Sequence, residues 1–240
     1  MHEPRTYRHW VSGRDLVSFS VAVRQTDLLI RADRNLKSRA LSETQRCRAS
    51  LEQYIESHPV FAIALVPVTV EEDAPVLVRE MADAARQAGV GPMAAVAGAI
   101  AGSVGRQLLL SCREVIVENG GDIFLKTTKE RVIGVYAGDS PLTGRLAFAV
   151  RPDETPLGIC TSSASVGPSL SFGNTDAVTV FSPSASLADA AATAIGNRVA
   201  SASDIPGALE FAQTIEGLRG VAIIVGGQLG LWGQIRLAEA

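Results

Sequence analysis

The chain has 240 residues, 47% of them hydrophobic and 20% charged, with a net charge of −3. That length suits one large domain able to bury a core without staples, and the charge leaves no basic footprint for nucleic acid. Cys47, Cys112 and Cys160 are odd in number and lack metal-type spacing, the pattern of reduced cytosolic thiols, and the opening MHEPRTYRHW has no signal-peptide core.

A single domain over 1–240 in the cytoplasm is therefore expected. YRHWV, LVSFSVAV and DLLIRA, within residues 5–32, are rich in β-branched and aromatic residues and predict strands. From Asn35 to Ser57 the apolar positions shift to three- and four-residue steps, which predicts a helix ended by His58-Pro59. Phe61 to Val70 reads as a strand or an extended approach to the next helix. Asp73 is placed to cap a helix over 74–88, with Gly89 just past its end. The uncharged run Gln87 to Gly105 is nearly long enough to span a membrane, but it is mostly Ala and Gly with Pro92 inside. That composition favours a buried helix through about Leu110 over a membrane span.

Strands are expected at Val115–Val117 and 123–126, flanking Asn119-Gly120-Gly121-Asp122, then at 131–136 and 145–150. Ile205–Ile215 reads as a short helix, and 221–237 as a closing hairpin around Gly226-Gly227. The class is α+β, with largely antiparallel sheets and packed helices. Surplus apolar surface in 91–105 and at Leu229, Leu231 and Trp232 predicts a homo-oligomer, most simply a two-fold dimer.

One stretch stands apart. Between Thr155 and Asn197 only Asp176 and Asp189 are charged, and the rest is Gly, Ala, Ser, Thr and short apolar runs. It predicts strand, long loop, strand and helix, with the loop over an anionic or nucleotide-like ligand. A plain connecting loop fits the composition equally well. Asn119-Gly-Gly-Asp122 is first a tight-hairpin signal, and second a place where backbone amides approach a phosphate. Ser186-x-x-Asp189 is first a capping box. Capping leaves Thr193 unexplained, because it stacks one turn beyond Asp189, and a carboxylate beside a hydroxyl suits Mg²⁺. Nucleophilic chemistry is poorly supported: Cys160, Ser162 and Ser163 have no elbow motif, and His2, His9 and His58 all lie in the first quarter.

The blocks VGPMAAVAGAIAGSVG (90–105), VIVENGGDIF (115–124), YAGDSPL (136–142), GICTSS (158–163), SLSFGNTDAVTV (169–180) and LADAAATAIGN (187–197) together resemble an uncharacterised cytosolic branch of the ApbE-like superfamily. The better-known members of that superfamily are FAD:protein FMN transferases. The resemblance implies a small phosphorylated ligand, FAD or FMN, with Mg²⁺ held at Asp189 and Thr193 and by a backbone carbonyl near Ala95 to Ala97. It further implies ligand contacts at Asn119, Gly120, Gly121 and Asp122, along Thr161, Ser162 and Ser163, and at Ser169. Two departures are visible. Ala97-Gly98 stands where the transferases carry Lys-Gly, and Gly167-Pro168-Ser169 stands where a His is expected. The chain thus lacks one phosphate partner and one acid–base group of the transferases.

Overall fold

Eight antiparallel strands, two faces and two separate apolar clusters define the architecture. The structure, a computed structural model, describes residues 13, 15–163 and 173–238. The large sheet contains β1 (Val17–Val23), β2 (Thr26–Ala32), β3 (Val115–Asn119), β4 (Asp122–Lys126), β7 (Leu157–Ser162), β8 (Ala177–Ser182), β9 (Gly220–Val225) and β10 (Gln228–Gly233), in that spatial order. A second sheet of β5 (Arg131–Gly134), β6 (Ala147–Val150) and β11 (Leu237–Ala238) covers one face. The α-helices are α1 (Lys37–Ser57), α2 (Val60–Ile63), α3 (Val76–Ala88), α4 (Val96–Leu109), α5 (Ala185–Gly196) and α6 (Ile205–Gln213), with short 3-10 turns at Pro92–Ala95, Pro152–Glu154 and Ala202–Asp204. The expected α+β class with antiparallel pairing is what forms.

Strand alternation builds the layers. In β3, Val115 and Val117 belong to the helix-side core, whereas Ile116 points into the cluster between the two sheets. In β8 all six residues are buried because both faces are covered, which is why apolar residues stand at adjacent positions there and not only at alternate ones. Arg131 on β5 is locked by Asp15 and by Glu114, which stands just before β3. Its Nε donates to Glu114 Oε1 at 2.7 Å and its Nη1 donates to Asp15 Oδ1 at 2.5 Å, so a nearly buried guanidinium is fully paired.

Several boundaries differ from expectation. Residues 61–70 form no strand: α2 is a single helical turn, and the chain then runs irregularly to α3. Asp73 caps nothing, because α3 begins at Val76 with Pro75 at its N-cap and no side-chain cap bond. The uncharged run 87–105 is two elements, since α3 ends at Gly89 in the left-handed region (φ 74°) and α4 starts afresh after a short turn. No single helix among the described residues is long and apolar enough to cross a membrane. Segment 91–105, expected to offer surface to a partner copy, is spent inside the fold, with Gly98, Ala99, Ile100, Ala101, Gly102, Val104 and Gly105 buried. The strand read through Leu237 is divided between the two sheets as β10 and β11. The YRHWV strand falls outside the described residues.

Helix α5 sits at the centre, against α3, α4, β7 and β8. It is Ala-rich because its neighbours come too close for anything larger. A Cβ on Gly98 of α4 would lie 2.2 Å from the Ala185 carbonyl oxygen, and one on Gly158 of β7 would lie 2.4 Å from Ala185 Cα. The start of α5 is thus clasped between a helix and a strand that each surrender a side chain.

Candidate functional site

Along α5, ten of the twelve residues are buried, and the two that are not are Asp189 and Thr193. With half-buried Asn197 just past the helix they form an i, i+4, i+8 stripe, and all three line one cleft of about 520 Å³. The opposite wall is aliphatic: Ala62, Ile63, Ala64 and Leu65 from the segment after α1, then Val90, Met93, Ala94, Val96 and Ala97. No Lys, Arg or His is among these described lining residues.

The capping reading of Asp189 does not hold. Ser184 is the N-cap of α5, its hydroxyl accepting from the Leu187 amide at 3.2 Å. Asp189 instead reaches a different helix: its Oδ2 accepts from the Gly98 amide at 2.8 Å, in the first turn of α4. The carboxylate therefore satisfies a free helix-start N–H and meets the positive end of the α4 dipole. Even so, burial pushes Asp189 up to about 7, against the lowering effect of the Gly98 and Ala97 amides.

Behind it lies a second carboxylate. Asp122 opens β4 and is raised well above the usual carboxylate range, first by burial and then by the Asp189 charge. The Cys160 thiol, buried on β7, is pushed well up by burial and by both aspartates; it donates to the Ala185 carbonyl at 3.3 Å. A thiol so disfavoured as thiolate is a small hydrophobe, not a nucleophile.

The Asn119–Asp122 turn is the tight hairpin its sequence signals, with Asn119 paired to Asp122 and positive φ at Gly120 (67°) and Gly121 (107°). It is also tied to the cleft, because Asn119 Nδ2 donates to the Ala97 carbonyl at 3.1 Å. Asp189, Gly98, Ala97, Asn119 and Asp122 thus form one connected group. Thr161 and Ser162 lie on β7 beside β8, where the Thr161 and Thr179 hydroxyls are 3.0 Å apart. The main chain at Gly121 approaches that strand, a Cβ there lying 3.9 Å from the Thr161 carbonyl oxygen. Ser163 follows β7 directly, whereas Ser169 and the greater part of the loop to β8 lie outside the described residues. The aliphatic wall from 62–65 was missed from the sequence, where the run read as a strand or an extended approach to the next helix. The only available signal was a run of large apolar residues broken at Pro67.

The described chain is thus an antiparallel α+β fold whose central helix lines one cleft with a carboxylate–hydroxyl stripe. A family model described as AbpE bacteria matches residues 8–235, and the chain belongs to that family. It is 42% identical over 214 residues to a UPF0280 protein of Methanocella arvoryzae, covering 89% of this chain and 87% of the other. It is also 42% identical over 221 residues to a UPF0280 protein of Methanocaldococcus jannaschii, covering 90% of each. Among solved structures, the apo flavinyl transferase ApbE of Pseudomonas stutzeri aligns with a TM-score of 0.59 at 16% identity, over 90% of this chain and 93% of that one. The ApbE protein of Thermotoga maritima aligns at 0.56 and 10%, over 90% and 96%. At such identities the likeness is one of fold.

Proposed function

We propose that the cleft binds a flavin nucleotide or a related phosphorylated ligand together with Mg²⁺, and acts on the phosphate linkage of that ligand. The observation that carries this reading is the stripe. A core helix buried on every other side opens only at a carboxylate and a hydroxyl, and its C-terminal neighbour there is an amide. An anionic ligand entering a cleft without basic lining residues needs a cation to neutralise it, and Asp189 with Thr193 supplies hard oxygen donors of the kind Mg²⁺ takes. The donor set suits a cation: Asp189 Oδ2 accepts from the Gly98 amide, and among the described residues no cationic side chain pairs with this carboxylate. Among the described residues no cluster of three or more His, Cys, Asp and Glu competes as a metal site. Bound there, the metal would neutralise charge on the phosphates. Asn119 to Asp122 and Thr161 to Ser163 would form the nucleotide side of the site, with Ser169 from the adjoining loop.

The second reading is a binding or assembly protein without chemistry. It is favoured by the lack of any basic or imidazole group among the described lining residues, and by Ala97 where the transferases carry Lys. Incubation of the pure protein with FAD and Mg²⁺ separates the two, FMN or AMP appearing only in the first. Calorimetry tests what they share: Mg²⁺ strengthens nucleotide binding in the native protein and not in Asp189→Asn. Equal binding with and without Mg²⁺ removes the metal role. A cytoplasmic location and a two-fold dimer complete the proposal, and light scattering at micromolar concentration tests the dimer.

A further inference from the structure

The segment between α1 and α3 is held in place from both ends. The Tyr54 hydroxyl donates to Glu71 Oε2 at 2.8 Å, and His58 Nε2 stands 3.5 Å from Glu71 Oε1. The Tyr54 ring stacks on His58 at 4.2 Å and meets Phe61 edge-on at 5.3 Å. Phe61 is the buried anchor, 1% exposed. The Ala64 carbonyl lies 1.8 Å from where a Cβ on Gly91 would be, so the main chain is pressed onto the start of the α4 region. On this fixed segment Val60, Ile63, Leu65 and Val66 are exposed by 61%, 76%, 59% and 66%. Single exposed aliphatics are ordinary, but four within seven residues on an anchored shelf form a patch.

Along this stretch of the chain the Lys, Arg, Asp and Glu charge has one sign. Glu56, Glu71, Glu72 and Asp73 are all exposed, and no Lys or Arg occurs between Arg48 and Arg79. Arg79 itself turns back to donate to the Ala74 carbonyl at 3.1 Å. We propose that this shelf docks a protein segment presenting an apolar face flanked by lysine or arginine. An acidic rim around an aliphatic centre complements that chemistry. Anionic lipid would be repelled by the same rim, and a two-fold copy would set the rim against itself. Area points the same way. Four side chains at these exposures offer on the order of 400 Å², against about 800 Å² per partner in a standard interface, so a short segment fits better than a second globular copy. Ile63 and Leu65 also line the cleft, so the docked segment would sit at its mouth. The inference stands independently of the nucleotide reading, and its test uses ligand-free protein.

A random peptide library displayed on phage is panned on the immobilised full chain, with counter-selection on the Ile63→Ser/Leu65→Ser double variant. Both residues are largely exposed, so the variant should melt at the native temperature, which is checked first. Enrichment of peptides combining large apolar residues with Lys or Arg is expected. A synthetic copy of the dominant peptide should bind the double variant at least tenfold more weakly by fluorescence anisotropy. It should also bind Glu72→Lys/Asp73→Lys several-fold more weakly, and weaken with salt. Four results would overturn the proposal: no enrichment, enriched peptides without basic residues, equal binding to the double variant, or a dimer by light scattering that the double variant abolishes.

Discussion

Two hairpins in this protein share one local design and serve different ends. Both join their strands through Gly-Gly, at Gly120-Gly121 between β3 and β4 and at Gly226-Gly227 between β9 and β10. The first is flanked by Asn119, which reaches the start of α4, and by Asp122, which feels the Asp189 charge. The second is flanked by Val225 and Gln228 at the edge of the sheet. It is steadied by Asp176, whose Oδ2 accepts from the Gly226 amide at 2.6 Å, and by Ser140, whose hydroxyl donates to the Gly226 carbonyl at 2.7 Å. The turn chemistry is common to both, so it cannot be what makes one of them part of a site. What differs is the layer packed against each.

The largest effect should come from the carboxylate behind the first hairpin. In Asp189→Asn, nucleotide affinity should lose its Mg²⁺ dependence, a drop of tenfold or more in calorimetry at saturating Mg²⁺. The same variant carries a pH signature. A carboxyl whose folded pKa is raised from 3.8 to about 7 binds more protons folded than unfolded between those values. The metal-free native protein should therefore lose stability as pH rises from about 4 to 7, by linkage. Asp122 titrates in the same direction and adds to that fall. Asp189→Asn keeps the shape and an acceptor for Gly98, so its melting temperature at pH 8 should exceed that of native protein without Mg²⁺. A steeper fall with pH in the variant would contradict this account of Asp189.

Next come the turns themselves. Gly121 has φ 107°, outside the left-handed helical region that other residues visit, whereas Gly227 has no positive φ and only an ordinary 3.8 Å neighbour. Gly121→Ala should cost about 2 kcal/mol in urea unfolding, and Gly227→Ala less than about 0.5 kcal/mol. Equal costs would mean that the two turns are strained alike. Gly120 and Gly226, at φ 67° and 59° with open space around them, should behave as a matched pair, each losing about 1 kcal/mol as Ala. The smallest difference separates the flanks. Asn119→Ala removes the bond to Ala97 and should cost about 1 kcal/mol, whereas exposed Gln228→Ala should fall within about 0.5 kcal/mol of native.

By itself the sequence determined the local elements whose signals are short-range. The Asn-Gly-Gly-Asp hairpin, the left-handed stop at Gly89 and the periodicity of α1 follow from φ preferences and side-chain spacing, which neighbouring residues settle among themselves. The four-residue step from Asp189 to Thr193 was legible too, because a helix fixes which side chains share a face. Tertiary structure alone decided what Asp189 does with its carboxylate. The partner, Gly98, is 91 residues away in sequence, and the competing Ser186 cap was lost to Ser184. It also decided that 91–105 faces largely inward and that Val60, Ile63, Leu65 and Val66 lie exposed. Composition makes both segments apolar, and packing against α5, β3, β4 and α1 covers the first while those side chains of the second stay open. Burial depends on what arrives from elsewhere in the chain, and that is not written in the residues being buried.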